Sequence, residues 1–450
     1  MRIVPICMLL CFAQGVVLAD DWARWLGPTG DAVYHEKGVV QSIPKGGLKT
    51  LWEAPVNLGY SGPSVADGKV FFMDYIQSSG EITNKASWSD ELNGQERVVC
   101  LDAATGEERW SFAYDRPYRM SYPGGPRATP IYSDGKVYAL GAEGNFHVLD
   151  AETGKLVWSK DFKREYSAET PRWGHAAHPL IYKDMVICIV GGIGSVAVAF
   201  DKKTGEQRWR KLSADSQGYC PPSIIHYAGV DQLIIWHPEG MNSLNPMTGQ
   251  SYWFQDLRPK LGLTVSAPRF NQGRVFASGQ GGPAALLQLS GTSPEAELVW
   301  LGTPQTAMYT LNNTPFFTND AIYGVDLESS SLIAVDPSDG SRIWMTQEPV
   351  LDPEVIANAK RRIRHGTAFL YRLGESDIFY IVSENGDLVI AELSVKGYRE
   401  IGRQNLIEPT NFNGGRKVVW SPPAFANRTI YLRNDKKLVA IDLSEKTYKY

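Results

Sequence analysis

The chain has 450 residues, 43% of them hydrophobic and 21% charged, with a formal net charge of −4. That balance excludes a disordered polar chain and offers no basic surface for nucleic acid or an anionic membrane. The length exceeds what one hydrophobic core usually organises, so the apolar surface must be spread over repeated units or several domains.

Residues 1–19 carry one positive charge, Arg2, then an apolar run through Val17, and Val17-Leu18-Ala19 precede Asp20. This predicts a signal peptide cut after Ala19 and an exported, soluble protein, periplasmic or extracellular. Pro5, Gln14 and Gly15 interrupt the run, which argues against a membrane anchor. No other stretch reaches about 18 uninterrupted apolar residues, so no transmembrane segment is expected. Of the five cysteines, Cys7 and Cys11 fall in the signal, leaving Cys100, Cys188 and Cys220. An odd number argues against a disulfide framework. Cys100 in RVVCLD and Cys188 in MVICIV read as buried thiols inside strands.

Residues 20–48 form an N-terminal extension, in which Trp22, Trp25 and the Gly27-Pro28 turn predict aromatics packed on the main domain. The main domain spans 49–450. It opens on KTLWEAPV (49–56), an isolated strand with no partner nearby in sequence. The organising unit becomes plain at 128–158, ATPIYSDGKVYALGAEGNFHVLDAETGKLVW. Asp134-Gly135 and Glu152-Thr153-Gly154 punctuate four short alternating strands, one small antiparallel sheet. Its second half returns as VVCLDAATGEERW (98–110), AVAFDKKTGEQRW (197–209), NSLNPMTGQSYW (242–253) and LIAVDPSDGSRIW (332–344), with weaker copies ending at LVAIDL (438–443). Eight copies recur about every 49 residues from Asp102 to Asp442, the period of a β-propeller with four strands per blade. The expected fold is therefore all-β: an eight-bladed β-propeller of four-stranded antiparallel blades. The last copy ends soon after its third strand, so strand 49–56 should supply its outer strand and close the ring, with the tail ending at Tyr450 as the rival. Trp52, Trp110, Trp158, Trp209, Trp253, Trp300 and Trp344 should wedge between blades, with Ile401 in that place in blade seven.

The A-x-D-x-x-T-G-x-x-x-W phrase at Ala151 to Trp158 and its copies resembles the tryptophan-docking repeat of quinoprotein (PQQ) alcohol dehydrogenases. The same repeat builds the non-enzymatic propeller of the outer-membrane β-barrel assembly factor, and the W-x-x-W-x-G-P start at Trp22 is similar to exported PQQ-like propellers. The resemblance covers roughly residues 49–443. It implies one of two functions on one fold. The first is a PQQ-dependent dehydrogenase of alcohols or sugars, with PQQ over a tryptophan floor in the channel and held by Ca²⁺. The second is a binding or scaffold module with a protein partner in the envelope or a small-molecule ligand. The dehydrogenases' adjacent-cysteine disulfide has no counterpart here, and no Asp/Glu/Asn set matches their calcium and base positions. Binding is the preferred reading, with no cofactor and a monomer expected.

Within a blade, the first and third turns are short and share one face. The long connections, 75–97, 111–127, 159–177, 345–365 and 402–420, share the other. Long loops on one rim of a rigid scaffold are where sites are built. The last residues of each connection lead into an innermost strand and should crown the channel. They include Arg172, His175, His178, His365 and Trp420, the expected ligand-binding residues. Arg172 has the chemistry to grip a carboxylate or phosphate. His175-x-x-His178 has metal-like spacing, but no helix presents it and no third ligand is evident, so no metal is expected. Gly191-Gly192-Ile193-Gly194 opens no helix and reads as a hairpin turn. Residues 352–364 (DPEVIANAKRRIR) read as one helix, capped by Asp352 and ending in a basic cluster. No pair of carboxylates suggests hydrolysis of a polymer.

Overall fold

The computed structural model describes residues 21–448; the expected signal peptide at 1–19 lies outside them. Among the described residues, eight sheets of four or five strands follow one another, antiparallel except for one short parallel edge strand, with a two-stranded hairpin beside them. In chain order they span 64–120, 131–161, 180–211, 223–255, 269–301, 316–346, 368–405 and 424–442. Within each the strands meander, so hairpin turns set the register. Asp102, Asp150, Asp201 and Asp336 accept the two main-chain N–H groups, or the first of them, that follow across the turn. That local bonding is why Asp recurs there. The second and third strands are mostly buried, as at Met185–Ile189, whereas the outer strand Glu108–Asp115 alternates with solvent.

The core is a series of interfaces between neighbouring sheets. Tyr138, Phe146, Val186 and Phe200 join sheets two and three; Ile187, Ala199, Leu233 and Leu244 join three and four. Innermost strands of sheets eight, one and two lie side by side, as do those of five and six. This is the propeller arrangement, in which each small sheet buries its faces on its neighbours.

In every sheet the outer pairing shifts register once beside the tryptophan position, as between Val148 and Leu149 and between Ala199 and Phe200. The extra residue turns the indole toward the next sheet. There Trp52, Trp110, Trp158, Trp209 and Trp300 donate from Nε1 to the carbonyls of Ala103, Ala151, Lys202, Pro246 and Pro337 at 3.0–3.2 Å. Each of these indoles also covers the turn glycine three residues beyond that carbonyl: Gly106, Gly154, Gly205, Gly249 and Gly340. Trp344 reaches Ser394 of sheet seven, while Trp253 turns back to Gln232 of its own sheet at 2.8 Å. Sheet five has no matching Thr-Gly turn to receive it.

Three sequence expectations need correction. In sheet seven the register places Gly402, not Ile401, at the tryptophan position, and Ile43 of the N-terminal extension packs against it. The stretch 75–97 is mostly strand: Lys69–Gly80 and Asp90–Asp102 pair as one long hairpin, because alternating residues continue the ladder past the usual turn. The helix expected over 352–364 is Pro353–Ala357, capped by Asp352, and stops at Asn358. Asn358 bonds Glu354 O from its side chain and main chain, ending the helix before the basic cluster. Short helices also occur at Phe162–Tyr166 and Glu445–Tyr448.

The strand Thr50–Pro55 pairs antiparallel with Lys437–Ile441 and is the outer strand of the sheet formed by residues 424–442. Before it, residues 21–40 touch sheets far apart in sequence. Trp22 bridges Val65, Tyr132 N bonds Ala23 O at 2.8 Å, and Arg269 donates to the carbonyls of Gly30 and Asp31. Val33–Tyr34 then pairs in parallel with Arg372 and Leu373, and Arg428 N donates to Glu36. All these contacts lie toward the short-turn ends of the sheets.

Candidate functional site

The connections between successive sheets lie opposite the N-terminal segment. All eight contribute to one cavity of about 530 Å³. Tyr60 comes from the connection into sheet one, Arg127 from that into sheet two, and Arg172 and His178 from that into sheet three. Tyr219, Leu263, Asn312, His365 and Trp420 represent the connections into sheets four to eight in turn. Trp25 reaches the cavity from the N-terminal segment, stacked on His178 with ring centroids 4.4 Å apart and planes at 9°.

Four of the five expected residues, Arg172, His178, His365 and Trp420, therefore share one cavity. His175 does not line it. Its main-chain N–H bonds Ala142 O, and its ring sits edge-on to Phe162, 3% exposed, with Nε2 unpartnered near Gly144. Burial pulls its pKa to about 3, so the ring is neutral and structural. An irregular connection has no fixed side-chain alternation, and its sequence did not disclose that residues three apart point to different surroundings.

His178 is also held neutral, its pKa drawn to about 3 by burial. Thr129 N–H donates to Nδ1 at 2.9 Å, so the remaining proton sits on Nε2. His365 adopts φ +64° and is held lower than a free histidine by burial and by Arg364 and Arg416. Arg172 is exposed at the mouth, 5.7 Å from the Trp173 ring centroid. Trp420 lies beside Tyr122 and Tyr60, and Tyr122 donates to Asn413 at 2.9 Å.

Arg127 was not among the expected residues, though it ends its connection as Arg172 and His365 nearly do theirs. The same positional rule applied to PGGPRATP finds it. Its guanidinium packs over the Tyr60 ring, 5.1 Å from the centroid, and donates to the carbonyls of Ser121, Tyr122 and Gly125. Burial lowers its pKa. Trp25 was expected to pack on the domain; its place in the cavity follows from the path of the whole extension, which local pattern does not reveal.

Among the described residues, no aspartate or glutamate lines the cavity. Buried carboxylates nearby are already engaged: Glu384 by Arg416 and Thr367 N, and Glu96 by Tyr114, Tyr118 and Ala142 N. Calcium takes 6–8 oxygen ligands, with carboxylates supplying most of the charge. The cavity's side-chain oxygens are the neutral amides of Gln280, Asn312 and Asn413 and the hydroxyls of Tyr60, Ser87, Tyr122 and Tyr219, beside two guanidinium groups. That set does not fit Ca²⁺. Among the described residues no cluster of three or more His, Cys, Asp or Glu could hold a metal, and no helix is long and apolar enough to cross a membrane. Cys100, Cys188 and Cys220 are buried and free, their thiols pushed up by burial.

Comparison with known proteins bears on the family. Quinohemoprotein alcohol dehydrogenase ADH IIB of Pseudomonas putida is 24% identical over 364 residues, covering 75% of this chain and 42% of that protein. The chain thus spans about two fifths of the length of the curated dehydrogenases it matches. Outer membrane protein assembly factor BamB of Shewanella oneidensis is 24% identical over 227 residues, 48% of this chain and 56% of that one. Among solved structures, BamB from Moraxella catarrhalis superimposes with a TM-score of 0.57 at 14% identity, covering 88% of this chain and 99% of that chain. Quinohemoprotein alcohol dehydrogenase from Comamonas testosteroni gives 0.58 at 13%, covering 94% and 80%. At these identities the structural likeness shows the fold alone. A family model described as outer membrane protein assembly factor BamB matches residues 94–346, more than half of the chain, and the chain belongs to that PQQ_2 family.

Proposed function

We propose that this chain is an exported binding propeller whose ligand site is the cavity at the long-connection end of its channel. On this reading the eight sheets are the blades of one closed ring. Strand Thr50–Pro55 completes the last blade, and residues 21–34 floor the channel on the short-turn side. One observation carries the reading: all eight inter-sheet connections and the N-terminal segment contribute to a single cavity. Residues so distant in sequence converge only around an axis, and a concave, largely aromatic pocket with a few polar groups is the usual form of a small-ligand site. Arg172, His178, His365 and Trp420 contact the ligand, and His175 supports the connection that carries two of them. Export rests on the composition of residues 1–19.

The second reading, oxidation of an alcohol as in the matched dehydrogenases, is favoured by their coverage of 75% of this chain. Against it stands the cavity's lack of a carboxylate to bind calcium or to act as base. The outer face of the long connections remains available for an envelope-protein partner, in line with the BamB relatives.

A thermal-shift screen of small metabolites, run on the full protein and on Ala176→Trp, tests the site. Ala176 lines the cavity, and an indole there would fill much of it. Hits should raise the melting temperature of the parent and leave the variant unmoved. A screen in which every hit shifts both equally would overturn the assignment.

A further inference from the structure

Resting on that site, we infer that its ligand carries an oxyanion, a carboxylate or phosphate, on a flat apolar body. The cavity is unusual in its balance of donors and acceptors. Two guanidinium groups, Arg127 and Arg172, line it, and no aspartate, glutamate or lysine does. Arg127 bonds only main-chain carbonyls, from Ser121, Tyr122 and Gly125. Those three bonds leave two of its five N–H groups unused. This buried cation is satisfied by neutral carbonyls and has no paired carboxylate: Glu96 acts on it only from beyond ion-pair distance and is itself bonded by Tyr114, Tyr118 and Ala142 N, and an unpaired charge is costly in a low-dielectric interior. Arg172 lies over Trp173 at the mouth, and no carboxylate is within ion-pair distance of either guanidinium among the described residues.

Further donors share the cavity. Tyr60 Oη and Trp420 Nε1 are buried without a hydrogen-bond partner. Asn411 lies close to Tyr60 Oη and the Glu384 carboxylate close to Trp420 Nε1, each approach holding down an acid's pKa that burial raises, but neither meets hydrogen-bond geometry. His178 presents Nε2–H, because Thr129 occupies Nδ1. These donors, set beside two guanidinium groups that make no ion pair, select an acceptor-rich anion. Guanidinium forks match the paired oxygens of carboxylate and phosphate better than halide or a neutral carbonyl. The remaining lining, which includes Trp25, Trp173 and Phe369, suits a flat apolar ring. The whole molecule is mildly acidic, with a net charge of −4, so this preference is local to the cavity.

Isothermal calorimetry, backed by quenching of tryptophan fluorescence, tests the inference with naphthalene-2-carboxylate, its neutral isostere naphthalene-2-carboxamide, and 1-naphthyl phosphate. At least one of the two acids should bind about tenfold more tightly than the carboxamide, and the gap should narrow as salt rises. The tighter acid distinguishes a carboxylate from a phosphate ligand. Arg172→Gln, at an exposed position, should shrink the gap to within about threefold without moving the melting temperature. Arg127→Gln should shrink it further; because Arg127 also ties three carbonyls, Arg172→Gln keeps the test decisive if the former unfolds. Equal binding of acid and amide, abolished by Ala176→Trp, overturns the anion inference and leaves the site standing. Absence of binding by all three probes overturns both.

Discussion

At the scale of single residues, five of the junctions between sheets carry an indole laid over a glycine. A Cβ on Gly154, which holds φ +68°, would come within 2.6 Å of Trp110, whereas one on Gly135, at φ +71°, would meet nothing within 4 Å. The two glycines share the backbone constraint and differ only in the clash. Gly135→Ala should therefore cost about 1 kcal/mol, and Gly154→Ala roughly 3 kcal/mol, in urea unfolding. Equal losses would mean that the indole contact contributes little to joining the sheets. The phrase T-G-x-x-x-W disclosed both partners of this contact in sequence, but not that these five tryptophans use the glycine of the following sheet. Trp253 shows why: its indole turns to Gln232, and only the departure from Thr-Gly in sheet five hints at it. His175 and His178 teach the same lesson for the cavity. Their spacing was visible, their opposite surroundings were not, because no ladder fixes side-chain direction in a connection.

At the scale of elements, strand periodicity and turn chemistry made the sheets legible, including the strand around Trp52 and its partner before Asp442. The extension 21–48 was not legible, since its bonds are irregular and reach residues hundreds of positions away. The helix over 352–364 was overextended because a good cap and a basic end mark its limits only if the middle stays helical; Asn358 ends it early. The tail helix Glu445–Tyr448 holds less: Tyr448 Oη accepts from Lys49 N and donates to Asp442 O, and Ser444 bridges Val39. Removing residues 20–56 takes away Trp22, Trp52 and an entire outer strand, and should leave protein that is rapidly degraded in limited proteolysis. Removing 445–450 should lower the melting temperature by only a few degrees, on the order of 1–2 kcal/mol. Comparable damage from both deletions would contradict the role given to the N-terminal segment.

At the scale of the whole molecule, the arrangement turns a repeat into a cavity. Each sheet alone offers one connection; together, eight connections surround one cavity, and the N-terminal segment brings Trp25 to it. Repetition explains the scaffold and says little about the ligand, because the residues that line the cavity lie between the repeated phrases. Arg172, His178, His365 and Trp420 could be found by position, and Arg127 by the same rule, whereas the shortage of carboxylates around them is a property of the assembled cavity. The most direct measurement is a crystal structure of the protein soaked with 6-bromo-2-naphthoate, read by the anomalous signal of bromine. The account predicts one bromine inside the cavity, among Trp25, Trp173 and Trp420, with the carboxylate toward Arg127 or Arg172. Bromine found only on the outer surface of the sheets, or none at saturating concentration, would contradict it.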